Sequence, residues 1–366
     1  MPSLGQGRRM LRFLRQCLRT SPIPRARCAN AANFEILQIL PDPAVAGSGS
    51  ICLARGDAVK LLTAMLPTAL RHGAIALACL ALVPRIAHAQ TSTVPGRVVV
   101  LDWTATAMVM SLGINPIGVG DADLYRIWVG EPALPPDMPD VGLRDTPSLE
   151  TIAALKPDLI IVSPLGAAAR PSLQRIAPTR EVAVHSGTGD PLGHAEAELQ
   201  ALGKTVGREA QAQAVTTRAE TEFASLRQRL TGTAMPRLLV IQFLDKRFVR
   251  VYGPASLFGG VLQRLGLTNA WHAPTNGWGF ALTGVEKLAA FTDAEILVVD
   301  PLPSEVTLAP DTDSLWGNLP AVRQGRVKRL AATWPFGDLT AAQRFARLLV
   351  DAFSGNRATD GANARF

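Results

Sequence analysis

Beyond residue 89 this 366-residue chain has no cysteine: Cys17, Cys28, Cys52 and Cys79 all precede it. The larger part of the chain therefore has no thiol to pair, to ligate a soft metal or to attack a substrate. Histidine is nearly as scarce there. His185, His194 and His272 stand in no metal-ligand or triad spacing, and each reads as a surface or loop residue. No G-x-S-x-G elbow, no Walker motif and no G-x-G-x-x-G between a strand and a helix occurs, so neither a hydrolase nucleophile nor a phosphate cradle is in sight. An excess of positive charge is missing too, although the whole chain has a net charge of +7 and a pI near 9.7. Of its 37 basic and 30 acidic residues, 11 and 3 lie in residues 1–89, which leaves 26 and 27 for the rest. A nearly neutral body gives no nucleic-acid footprint.

What is present begins with an export signal. Residues 65–89, "MLPTALRHGAIALACLALVPRIAHA", carry a basic residue at Arg71, an apolar run from Ala74 to Val83, the breaker Pro84, and Ala87-His88-Ala89 as a small-x-small cleavage site. The apolar run is shorter than the ~20 residues a membrane-spanning helix needs. The reading is a signal peptide cleaved after Ala89 and a periplasmic body. Cys79 lies within the apolar run and reads as part of it. Residues 1–64 form an Arg-rich extension without periodicity, consistent with translation starting near Met65. Residues 355–366 are polar and rich in Gly and Ala, as a loose tail is.

The body alternates short apolar runs with helical spacing. Residues 97–103, 116–120, 158–163 and 181–186 read as strands of one α/β lobe over 90–206. In 207–232, Val215, Ala219, Phe223, Leu226 and Leu230 recur at three- and four-residue intervals, which predicts one long amphipathic helix. Strand-like runs resume at 237–244, 247–253, 295–300 and 326–330, giving a second lobe over 233–354. The fold class is α/β: two lobes with largely parallel central sheets, joined by a single long helix. An internal echo links them, because "LETIAALKPDLIIV" (149–162) and "VEKLAAFTDAEILVV" (285–299) share a pattern that puts Glu150 and Glu286 early in equivalent helices. Acidic residues favour helix starts for dipole reasons alone, but a matched pair also suits docking onto a two-fold partner.

All six tryptophans lie in the body, several in Gly/Pro-rich loops: "YRIWVGEP", "TNGWGF" and "ATWPFG". Together they suggest an aromatic-lined cleft between the lobes. Arg144, in the turn "VGLRDTPS", supplies a donor suited to a ligand that is mostly apolar and oxygen-rich, with little net charge.

These stretches resemble the periplasmic ferric-hydroxamate (ferrichrome-type) siderophore-binding proteins of bacterial ABC importers, whose lobes are joined by one long helix (class III). The resemblance runs from about Arg97 to Ala352 and rests on "YRIWVGEPALP", "DVGLRDTPSLETIAALKPDLI", "RIAP", "YGPASLF", "TNAW", "TNGWG", "SLWGNLPAVRQGRV" and "ATWPFG", in order. It implies ligand contacts at Trp128, Arg144, Trp278, Trp334 and Phe336. It also implies two departures, Gly166 and Phe336 standing where the family has tyrosines, so the pocket should be wider and less polar on one side. Glu150 and Glu286 fall where the family meets arginines of the inner-membrane ABC permease. "VKLLTAM" (59–65) is similar to the core of a twin-arginine signal but lacks the arginine pair.

The resemblance implies a monomer that performs no chemistry and has no resident cofactor or protein metal ligand. Its iron would stay within the siderophore's shell of six oxygens, as a hard cation prefers. Two other readings bear comparison. Haem or a corrinoid as cargo would call for a Tyr or His in the cleft, and Tyr125 and Tyr252 are the only tyrosines. An exported siderophore esterase would need a nucleophile and base that are not found.

Overall fold

A computed structural model describes residues 94–184 and 189–354. The extension, the signal segment with its cleavage point, His185 and the C-terminal tail lie outside them.

Four strands, β1 (Val98–Val100), β2 (Gly118–Val119), β3 (Leu159–Val162) and β4 (Thr179–Glu181), make an all-parallel sheet in the order β2-β1-β3-β4. Helices α1 (Trp103–Ser111), α2 (Ala122–Trp128) and α3 (Leu149–Leu155) alternate with the first three strands. All four residues of β3 are buried, Leu159 and Ile161 on one face and Ile160 and Val162 on the other. The run is continuously apolar because both faces of a parallel sheet are covered. The edge strand differs from the expectation of 181–186. It pairs over 179–181, and the Val182 amide adds one further bond, to the Val162 carbonyl at 2.9 Å, while Val182 and Val184 are buried beyond the strand.

The chain then forms α4 (Pro191–Thr205) and the long α5 (Glu209–Arg229). Val215, Ala219, Phe223, Leu226 and Leu230 are buried as their spacing requires. The second sheet contains β5 (Arg237–Phe243), β6 (Phe248–Tyr252), β7 (Phe280–Gly284), β8 (Ala294–Val299) and β9 (Val327–Leu330), in the order β7-β6-β5-β8-β9. It is mixed: β5, β8 and β9 run parallel, but β5-β6-β7 is antiparallel. The turn between β5 and β6 is too short for a parallel crossover, and Asp245 closes it by accepting the Arg247 and Phe248 amides at 2.7 and 2.8 Å. Helices α6 (Leu257–Arg264) and α7 (Leu339–Ser354) complete this half.

One apolar core serves both sheets. Val98 and Val100 of β1, Leu238 and Val240 of β5, Phe223 of α5 and Phe345 of α7 belong to a single buried cluster. The opposite face of each sheet has its own smaller cluster, around Ile152 in the first and around Trp271 and Trp316 in the second. Ion pairs reinforce the joint: Glu131, just past α2, meets Arg344 and Arg347 of α7 at 2.5 and 2.6 Å, and Arg347 also meets Glu222 of α5 at 3.0 Å. Phe223→Ala should therefore destabilise the protein by about 3–5 kcal/mol. Urea unfolding followed by tryptophan fluorescence and by circular dichroism should show one shared transition moved to lower denaturant, not two separated ones.

Candidate functional site

The first wall forms at the carboxyl ends of β1 and β2, where ligands of open α/β sheets gather. Asp102 accepts the Ala105 amide at 2.9 Å and so starts α1, which fixes Trp103 at its first turn. The Trp103 indole donates to the Gly120 carbonyl at 3.1 Å. Across this ring the Arg144 guanidinium carbon stands 3.6 Å from the ring centroid, a close cation–π contact. Arg144 is only 8% exposed. Its backbone amide and Nε donate to one oxygen of Asp121, at 3.2 and 3.4 Å. Asp121 holds a left-handed backbone, φ 53°, which aspartate tolerates better than most residues. Burial raises the Asp121 carboxyl's pKa, while the charge and hydrogen bonds of Arg144 pull it back down.

From this wall a chain of rings crosses to the other lobe. Trp334 and Phe336 lie on the segment between β9 and α7, both buried. The Trp334 ring meets Trp103 at 4.8 Å, Trp128 at 6.3 Å and Phe336 at 5.1 Å, all edge-on. Phe336 continues to Trp278 at 5.2 Å and Phe280 at 6.0 Å. Thr104 stitches the crossing: its hydroxyl donates to the Phe336 carbonyl at 2.8 Å and accepts the Trp334 indole N–H at 3.2 Å. Trp278 is set by a turn in which Asn276 Oδ1 accepts the Trp278 and Phe280 amides at 3.0 and 3.3 Å. Gly279 completes the turn at φ 77°, and a Cβ there would collide with the Ser256 main chain.

Sequence reasoning named five members of this cluster: Trp128, Arg144, Trp278, Trp334 and Phe336. Gly166 stands just behind it, buried in a 3₁₀ turn (Pro164–Ala169), where a Cβ would come within 3.2 Å of the Arg144 carbonyl. The missing side chain thus lets the Arg144 loop approach closely. Glu150 and Glu286 are exposed, each in the first turn of its segment; α3 is α-helical, whereas Val285–Ala290 is a 3₁₀ turn. Trp271 and Trp316 fill the outer core of the second sheet instead of the cleft. Trp103, Asp121 and Phe280 were missed. Trp103 could have been found from its place just after a buried parallel strand.

Three deeply buried groups bear on the chemistry. Both tyrosine hydroxyls are committed, Tyr125 to the Pro132 carbonyl at 2.9 Å and Tyr252 to Gln242 Oε1 at 3.0 Å. Burial raises the pKa of both, Tyr252 to about 12, so neither offers a phenolate. Asp338 caps α7 by accepting the Thr340 and Ala341 amides at 3.0 and 3.3 Å, and burial pushes its carboxyl up to about 6. Among the described residues no cluster of three His, Cys, Asp or Glu side chains could hold a metal.

Two α/β halves sharing one core, with a ring-lined junction and a buried arginine, define a binding protein of the two-lobed, helix-joined class. The chain belongs to the periplasmic binding protein family, whose sequence profile matches residues 98–333. It is 34% identical over 261 residues to the iron(3+)-hydroxamate-binding protein FhuD of Escherichia coli (strain K12), covering 71% of this chain and 88% of that protein. The Fe(3+) dicitrate-binding periplasmic protein FecB of the same organism is 29% identical, with 71% and 85% covered. The solved structure of the Fe3+–Desferal-bound siderophore-binding protein FhuD from Vibrio cholerae superposes with a TM-score of 0.67 at 29% identity, covering 70% of this chain and 97% of that one.

Asp338 gives this region a pH signature. Its pKa is higher folded than unfolded, so between about pH 4 and 6 the folded state keeps a proton that the unfolded state releases. The contribution of this group to stability is greatest below that window and falls as pH rises through it. Asp338→Asn, which can still cap the helix, should remove this component, of order 2–3 kcal/mol. Urea midpoints of the two proteins from pH 4 to 7.5 should diverge across the window; parallel profiles would refute the assignment.

Proposed function

We propose that this protein captures ferric hydroxamate siderophores in the cleft between its lobes and delivers them to an inner-membrane ABC permease. The observation that carries the reading is Arg144, stacked on Trp103 and tied to Asp121, beside rings that reach both lobes. A ferric hydroxamate has an apolar periphery around a dense set of oxygens, and this pairing of rings with a fixed donor suits both parts. Arg144 donates to the hydroxamate oxygens and does not ligate iron. Trp128, Trp278, Trp334 and Phe336 pack against the carbon skeleton. Gly166 lets the Arg144 segment sit close to the 3₁₀ turn behind it. The iron arrives as cargo in its own oxygen shell, so no resident cofactor is required. The similarity to FhuD supports this cargo. The commitment of both tyrosine hydroxyls argues against haem held through a phenolate.

The protein binds and releases its cargo and is not an enzyme. It works as a monomer in the periplasm, after an N-terminal signal is cleaved behind Ala89. Glu150 and Glu286, exposed at matched places before β3 and β8, dock onto basic residues of the permease. The shared core keeps the lobes from closing widely, so the permease senses small shifts in lobe geometry.

Titration of the purified protein with ferrichrome, followed by tryptophan quenching, should saturate. Arg144→Ala should weaken binding by roughly 1.5–3 kcal/mol, as loss of a hydrogen bond to a charged group does. Unchanged affinity would remove Arg144 from the site, and a response to haem or cyanocobalamin alone would overturn the cargo. Combined Glu150→Ala and Glu286→Ala should leave that titration unchanged and reduce siderophore uptake in cells; normal uptake would sink the docking role.

A further inference from the structure

Arg250 on β6 is the other buried guanidinium at this junction, only 3% exposed. Its partners are neutral. Nη1 donates to Gln242 Oε1 at 3.4 Å, an oxygen that also accepts the Tyr252 hydroxyl at 3.0 Å. The amide nitrogen of Gln242 is turned away, donating to the Asp300 carbonyl at 3.2 Å, and the Asp300 carboxylate is engaged by Arg329 at 2.8 Å. Among the described residues no Asp or Glu forms an ion pair with Arg250, whereas Arg144 has Asp121. A buried cation without a counter-charge is costly unless something else supplies one.

The position of Arg250 indicates where that counter-charge would come from. The guanidinium carbon lies 5.2 Å from the Phe280 ring centroid and 5.9 Å from that of Phe336, the rings that end the aromatic crossing. Its cross-strand neighbour is Leu282, whose side chain points to the same face of the sheet. Leu282, on the edge strand, is 47% exposed, whereas Gln242 and Tyr252 beside Arg250 are fully buried. Arg250 thus stands directly behind the rings of Phe280 and Phe336, one strand in from a half-exposed sheet edge. With Arg144 balanced by Asp121, it supplies the uncompensated positive charge of this wall.

We infer that Arg250 is a specificity-determining residue of the cleft, favouring ferric hydroxamate complexes that carry ionised carboxylates over neutral ones. The inference rests on the ferric-hydroxamate reading above and narrows it. In a trihydroxamate complex the three hydroxamate anions cancel the ferric charge. In a citrate-bridged dihydroxamate, carboxylates remain and the complex is an anion. In a poorly solvated site an uncompensated cation discriminates between these two even without direct contact, because the attraction is weakly screened.

The test compares ferrichrome, the neutral complex, with ferric aerobactin, a citrate-bridged dihydroxamate bearing free carboxylates. Dissociation constants are measured by tryptophan quenching for the wild-type protein, Arg250→Met and Arg250→Lys. The wild type should bind ferric aerobactin more tightly than ferrichrome. Arg250→Met should weaken ferric aerobactin about ten- to a hundredfold and change ferrichrome less than about threefold, while Arg250→Lys keeps most of the preference. Equal weakening of both complexes, or no change for ferric aerobactin, overturns the inference. If Arg250→Met does not fold, the wild type decides, because binding ferrichrome as tightly as ferric aerobactin overturns it equally. Ferrichrome binding without a preference defeats only the role of Arg250; binding of neither complex defeats the ferric-hydroxamate reading and this inference with it.

Discussion

Everything about the cleft depends on the apolar layer shared by the two sheets. Residues of β1 and β5 face the same cluster as α5 and α7, so the halves fold onto common material and cannot separate without exposing it. Burial of this kind is non-directional and would tolerate some sliding. Direction comes from the polar joints at its rim, where Glu131 and Glu222 engage arginines of α7, and from Thr104, whose hydroxyl holds the Trp334–Phe336 segment. The ring-lined junction is therefore largely set when the chain folds.

Within that frame the site combines apolar rings with very few charges, each handled differently. Arg144 is balanced by a carboxylate and flattened on an indole, which fixes its orientation and removes its net charge from the cleft wall. Arg250 is held by an amide and by rings, which fixes it without cancelling it. Asp338, buried at the start of α7, is satisfied by backbone amides of the helix it caps. Placing an unbalanced charge behind a ring-lined wall costs stability, and such costs concentrate at binding surfaces where a ligand can offset them.

Legibility in the sequence varied with how local the physical signal is. The long helix α5 was plain because its buried face repeats every three or four residues, and strand β3 because a fully covered parallel strand is apolar throughout. Strand β7 was not visible. It is a half-exposed edge strand whose identity lies in pairing with β6, and its composition carries no alternation. The shift of β4 has the same origin, since pairing with Ile160–Val162 ends the strand before the valines that the alternation picks out. Arg250 escaped notice because a lone arginine between two valines in a strand normally marks the solvent face. The six tryptophans were visible as a group. Their division into four of the cleft and two of the outer core was not, because both environments reward a large ring.

The sequence by itself determined the α/β composition, the joining helix and the lack of a thiol in the body, which follow from residue type and local periodicity. It also carried the motifs whose resemblance to one family implies binding roles for Arg144 and its tryptophans. Only the tertiary structure decided that the second sheet is mixed, that Trp103 and Asp121 hold Arg144 between them, and that Arg250 stands without a carboxylate partner among the described residues. Those facts depend on contacts between segments far apart in the chain, and no local pattern encodes which distant side chain will meet a given charge.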